Sequence, residues 1–159
     1  MLLVGILVGS DGRAWQTARR VGPQALVVPG IAIVGTAIGV IAAAGRLSMD
    51  LHHALAVGFG LGYYSLSSIL IGEWVGPDLA VVALLANISR ELLTLLTAPL
   101  LLRLFGPLAP LVSGGATSMD TTLPIITRCS ESEYAPIAVL SGVVLTILVP
   151  FLVSLALRF

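Results

Sequence analysis

From Ala25 to Ala44 the chain runs twenty residues without a charge, in Val, Ile, Ala and Gly. That is the length, roughly 20 residues, that an α-helix needs to cross a bilayer. Inside hydrocarbon a segment must satisfy its own backbone, which a helix does. The rest of the chain has the same character. Charged residues make up 10% of the 159, against about 25% in soluble domains, too few to cover a globule in water. The composition therefore implies an all-α, polytopic integral membrane protein. The eight basic residues are all Arg and balance eight acids. With no Arg cluster, the electrostatic footprint of a nucleic-acid binder is missing. The single Cys129 excludes an internal disulfide and a Cys-based zinc site.

The apolar runs divide the chain as a single membrane domain of about five spans, with little left over for an extramembrane domain. Met1 to Val8 is too short to cross, and Arg13, Arg19 and Arg20 follow it rather than precede it, the reverse of a secretory signal. Residues 1–24 read as an N-terminal half-helix and a basic loop, and residues 25–71 as two spans. The second of these, from Met49 to Ile71, carries Gly58, Gly60 and Gly62 and then Tyr63-Tyr64-Ser65-Leu66-Ser67-Ser68. Alternate glycines weaken a helix by about 1 kcal/mol each, and hydroxyls compete for its backbone, so this span is expected to break. Pro77 opens a central span, 77–105, that Gly106-Pro107 closes. The next, 108–127, contains Ser113-Gly114-Gly115-Ala116-Thr117-Ser118-Met119-Asp120-Thr121-Thr122-Leu123-Pro124, too polar for a lipid-facing helix. The last span is 134–157, with Pro150 as a possible kink. Placing Arg13, Arg19, Arg20 and Arg128 inside leaves Arg46, Arg103 and Arg158 outside, which puts the C-terminus outside.

Two segments echo each other. A shift of 53 residues lays Gly62 on Gly115, Ser65 on Ser118, Ser67 on Asp120 and Ser68 on Thr121. Paired interrupted segments point to the binding site of a secondary transporter, because unwinding frees backbone groups at mid-depth. The alternative is that the small residues serve close helix packing, with hydroxyls bonded back to their own helices.

Charge supports the first reading. Glu91 stands midway between Pro77 and Phe105, about 21 Å from either end of a helix, and Asp120 is interior to its segment. Ionisable groups at that depth are costly and mark ion or substrate pathways. Asn87, Arg90, Glu91, Thr94 and Thr97 or Ala98 form one helical stripe, with Leu and Val filling the rest. One Arg cannot neutralise two acids, so the interior is expected to want a cation: a coupling proton or sodium ion, or a substrate ammonium. An Arg90 locked to Glu91 or Asp120 would instead be structural. His52 and His53 read as headgroup-level residues rather than metal ligands, and Glu73, Asp78, Glu131 and Glu133 as solvated. No Walker, HExxH or GxSxG motif occurs, so neither an enzyme nor a cofactor is expected.

Gly62-Tyr63-Tyr64-Ser65-Leu66-Ser67, Ala86-Asn87-Ile88-Ser89-Arg90-Glu91-Leu92 and Gly114 to Pro124 resemble the signature stretches of the lysine exporter LysO family. The resemblance covers nearly the whole chain but only the C-terminal part of a full-length member. It implies an inner-membrane exporter of lysine and related cationic amino acids, with a fold related to sodium/proton antiporters and bile-acid symporters. It also implies that Glu91 and Asp120 are linked to export. The missing spans would come from a second copy or from a small membrane protein.

The expected binding residues are Glu91, Asp120, Asn87, Arg90, Ser65, Ser67, Ser68, Thr117, Ser118, Thr121 and Thr122. The backbone is expected to break at Gly62, Gly114 and Gly115, and helix-end amides there would hold a substrate carboxylate. The competing functions are a monovalent-cation/proton antiporter and a non-transporting scaffold subunit.

Overall fold

A computed structural model describes residues 12–46, 49–130 and 134–158, with side chains from residue 26 onward within those ranges. The described residues form seven α-helices and one 3-10 helix, and no strand. In order they are α1 (Gly12–Ala44), α2 (Leu51–Gly58), α3 (Tyr64–Trp74), α4 (Pro77–Phe105), α5 (Ala109–Gly114), the 3-10 helix Gly115–Met119, α6 (Leu123–Cys129) and α7 (Ala135–Arg158). Among the described residues three helices are long and apolar enough to cross a membrane: Leu26–Ala44 within α1, then α4 and α7.

Local chemistry explains most of these boundaries. Gly76, at φ 140°, turns the chain into α4, and Pro77 takes the first helical position, where its missing N–H has no partner to lose. Gly106, at φ 86°, ends the helix. α7 continues as one helix on both sides of Pro150. The half-helix expected at Met1–Val8 lies outside the described residues. Arg13, Arg19 and Arg20, expected in a loop, lie instead in the first turns of α1, which is continuous from Gly12. That stretch is built largely from Ala, Arg and Gln, all good helix formers.

Polarity is inverted relative to a protein in water. Ser67, Asn87, Thr94, Thr117, Ser118, Thr122 and Ser141 are buried, while Leu96 on α4 is 79% exposed and Phe151 on α7 is 69% exposed. The outward Leu, Ile and Val side chains of α1, α4 and α7 suit lipid contact.

α7 is the central post. Its buried residues Ile137, Ala138, Ser141, Gly142, Leu145, Val149, Val153 and Ala156 recur every three or four positions. Leu145, Val149 and Val153 join Ala56, Leu61, Ile71, Ala83 and Ala116 in the main core, and a second cluster gathers Val28, Leu111, Ile126, Ile137 and Ala138. Between helices in lipid, tight contact rather than apolar transfer favours association. Gly142 shows how tight: a Cβ there would stand 2.7 Å from Met119 Cβ and 3.0 Å from Ala116 O. The 3-10 helix thus lies directly on α7.

Candidate functional site

α2 stops at Gly58 and α3 starts at Tyr64 because the backbone between them passes through positive φ at Leu61 (48°) and Gly62 (93°). Such a turn orphans peptide groups in a dry interior, and Asn87 of α4 takes them up. Gly62 N–H donates to Asn87 Oδ1 at 2.9 Å. Asn87 Nδ2 donates to Val57 O at 3.1 Å and to Ala83 O of its own helix at 2.8 Å. Both amide hydrogens and one oxygen lone pair are thereby used. Gly60 must be small beside it, since a Cβ there would meet Asn87 Oδ1 and Ser67 Oγ, each at 2.8 Å.

The second break lies against the first. Ala116 N–H donates to Leu61 O at 2.9 Å. Gly115, at φ 64°, admits this contact because a Cβ on it would collide with Leu61 O. A Cβ on Gly62 would come to 3.0 Å from Thr117 Cγ2 and 3.2 Å from Gly114 O. Gly62 and Gly115, superposed by the 53-residue echo, therefore share the left-handed conformation and meet in space. Gly114 differs from its expected role: at φ −61° and ψ −37° it is the last helical residue of α5, and the break begins one residue later.

Beyond Gly115 the hydroxyls work locally. Thr117 Oγ1 donates to Gly114 O at 2.9 Å and lies 3.4 Å from Thr122 Oγ1. Ser118 Oγ sits 2.7 Å from Gly115 O and 2.9 Å from Ala138 O, tying the 3-10 helix to α7.

Arg90 secures the end of α5. Its Nε donates to Ser113 O at 3.0 Å, Nη2 to Val112 O at 3.1 Å and Nη1 to Thr36 Oγ1 of α1 at 3.0 Å. The last carbonyls of a helix have no intrahelical partner and carry partial negative charge, so a cation there is favourable. Thr94 Oγ1 donates to Arg90 O at 2.9 Å and lies 2.7 Å from Ser113 Oγ. The expected alternative of Arg90 locked to an acid does not occur among the described residues, whose one contact between opposite charges is His53 to Asp50 at 3.9 Å.

The two acids are set differently. Glu91 is half-buried, one position along α4 from Arg90, with no hydrogen-bond or ion-pair partner among the described residues. Asp120 follows the 3-10 helix, also half-buried, and its Oδ1 accepts from Thr121 N–H at 2.6 Å and Thr121 Oγ1 at 3.3 Å. No cation touches its carboxylate among the described residues.

Of the expected residues, Gly62, Ser67, Asn87, Arg90, Gly114, Gly115, Thr117, Ser118 and Thr122 gather at or beside the junction of the breaks. Ser65 and Thr121 are exposed, and Ser68 Oγ turns back to Ser65 O at 3.2 Å. Ser65 and Ser68, three positions apart, share one face of α3, and it is Ser67, on another face, that is buried. Thr36, Thr94, Ser113 and Gly60 were absent from the expected set. A signal existed for Thr36, the only side chain capable of a strong hydrogen bond between Ala25 and Ala44. Asp50, His52 and His53 place ligand atoms within 4.8 Å of one another at the head of α2, away from this junction.

The family described as "Lysine exporter LysO" matches residues 1–157. The chain is 34% identical over 156 residues to a protein of Escherichia coli named "Lysine exporter LysO", covering 97% of this chain and 51% of that one. It is also 34% identical over 152 residues to a "Putative lysine exporter" of Haemophilus influenzae, covering 96% of this chain and 77% of that one. The chain thus spans about half the length of the first relative and about three quarters of the second. No solved structure matches. With the family matched over nearly all of its length, the chain belongs to the lysine exporter LysO family.

Proposed function

We propose that this chain forms the ion- and substrate-binding part of a secondary transporter that exports L-lysine and related cationic amino acids across the inner cell membrane. One observation carries the reading: two half-buried carboxyl side chains, Asp120 at the exit of the second helix break and Glu91 on α4 next to Arg90, have no basic partner among the described residues, while Arg90 is committed to helix carbonyls and Thr36. With both acids ionised the interior holds one negative charge more than it can balance. A side-chain ammonium, or a coupling proton or sodium ion, removes that excess and is drawn to the site for this reason. Alternating occupancy of the carboxylates by cargo and by the coupling ion links export to an ion gradient.

In this reading the segments 51–74 and 109–129 are interrupted spans, which with α1, α4 and α7 make five crossings. The touching breaks suit a fold related to sodium/proton antiporters and bile-acid symporters. Further spans come from a second copy of the chain or from a small membrane protein, in keeping with relatives longer than the matched region.

The test is efflux of labelled lysine from vesicles holding the purified protein with whatever co-purifies. The expected result is gradient-dependent efflux that the double substitution Glu91→Gln, Asp120→Asn abolishes. Efflux unchanged by that pair overturns the site assignment. Stabilisation by sodium but not by lysine favours the cation/proton antiporter instead.

A further inference from the structure

An amino-acid cargo carries a carboxylate as well as an ammonium, and the backbone amides at the breaks have no room for it. Gly62 N–H is held by Asn87 Oδ1, Ala116 N–H by Leu61 O and Gly115 N–H by Leu111 O. The anion must be met elsewhere. A shallow groove of about 340 Å³, open to the surroundings, lies on the flank of α4, lined by Ala86, Ser89, Arg90, Leu93 and Ser113. Arg90 spends three N–H groups on Thr36, Val112 and Ser113, and a guanidinium has more to give. Ser89 is exposed, and its hydroxyl has no hydrogen-bond partner among the described residues, unlike Thr94 and Thr97, which bond back to their own helix.

We infer that this groove is a second, anionic subsite in which Arg90 and Ser89 receive the α-carboxylate of the cargo, an inference that rests on the export reading above. A guanidinium edge and a serine hydroxyl cannot stand open to hydrocarbon without loss, and a carboxylate supplies the charge-assisted acceptor that both lack. A lipid phosphate does not fit. Arg90 is 13 residues from Pro77 and 15 from Phe105, which places it about 20 Å from either end of α4, far below a headgroup. Glu91, the next residue, provides negative charge at the same depth but about 100° further round the helix, so α4 carries both signs at one level. Arg90, already bound to the end of α5, is held rigid for this purpose and needs no reorganisation when the anion arrives.

The experiment compares binding of lysine with that of 1,5-diaminopentane, the same skeleton without its carboxylate, to the purified protein with any co-purifying partner. Three forms are used: wild type, Ser89→Val and Ala86→Leu, the last to fill the groove. Both substitutions are on an exposed face and leave the Arg90 bonds intact, and thermal unfolding checks that each variant folds. The wild type is expected to prefer lysine by about tenfold or more, since a site built around a polar group discriminates against a ligand lacking it. Each variant is expected to weaken lysine to the level of the diamine and leave the diamine unchanged. Equal wild-type affinities, or a lysine affinity that neither variant alters, overturn the carboxylate subsite and leave lysine export standing. Absence of lysine binding to the wild type overturns both.

Discussion

The two helix breaks meet at their glycines but are held open by opposite means. The first, between α2 and α3, is closed by an uncharged side chain. Asn87 answers the orphaned Gly62 N–H and adds a second donor to Val57 O, and no charged residue lies within the turn. The second, after α5, is anchored by a cation, Arg90, on its entering side and carries an acid, Asp120, on its leaving side, whose carboxylate bonds among the described residues only to Thr121. The first break is a sealed joint and the second is a joint with chemistry left over. What separates them is where the charge is placed: spent on backbone in one case, unspent in the other.

The comparison can be broken most severely at Arg90. Arg90→Met strands the Val112 and Ser113 carbonyls at the negative end of α5 and is expected to cost about 3–5 kcal/mol, read from unfolding in detergent. Arg90→Lys recovers only part, because an ammonium lacks the planar fork that spans three acceptors.

Next is Asn87→Leu, which leaves Gly62 N–H unpaired and Val57 O with only the longer bond from Gly60 N–H at 3.3 Å, and is expected to lose about 1–3 kcal/mol in the same assay. If the two substitutions prove equal, the sealed and charged joints are energetically alike and the distinction is one of chemistry alone.

Gly115→Ala forces a side chain into positive φ and against Leu61 O, for an expected loss of about 1–3 kcal/mol. Gly35→Ala on the open face of α1, where nothing stands within 4 Å, is expected to stabilise by up to about 1 kcal/mol.

The smallest effect on stability is expected at Asp120. Asp120→Asn should change unfolding by less than about 0.5 kcal/mol, since no described cation pairs with the carboxylate, yet reduce lysine efflux at least tenfold. A large loss of stability would show that this acid serves the fold.

Much of this arrangement is legible in the order of residues. The stripe Asn87, Arg90, Thr94 and Ala98 has the helical period and faces inward along α4, while Leu92, Leu93 and Leu96 face out. The alignment of Gly62 with Gly115 anticipates a shared backbone conformation, because positive φ is a local demand that glycine meets at little cost. Partners of side chains were not legible in the same way. Arg90 adjoins Glu91 in sequence, which invites an ion pair, yet its bonds run to carbonyls more than twenty residues away and to Thr36 on another helix. Ser65, Ser67 and Ser68 are alike in composition, and only the rotation of α3 decides that Ser67 alone is buried.

The sequence by itself determined that the chain lives in a membrane, where α4 and α7 begin and end, where α1 ends, and where two of its segments fail as continuous helices, but not that α1 starts as early as Gly12. Those are properties of hydropathy and backbone preference, which act within a few residues. Only the tertiary structure decided that the breaks touch, that Asn87 closes one and Arg90 the other, and that Glu91 and Asp120 are left without a basic partner among the described residues. Hydrogen bonds between segments depend on which atoms packing brings within about 3 Å, and nothing in a linear order specifies that distance.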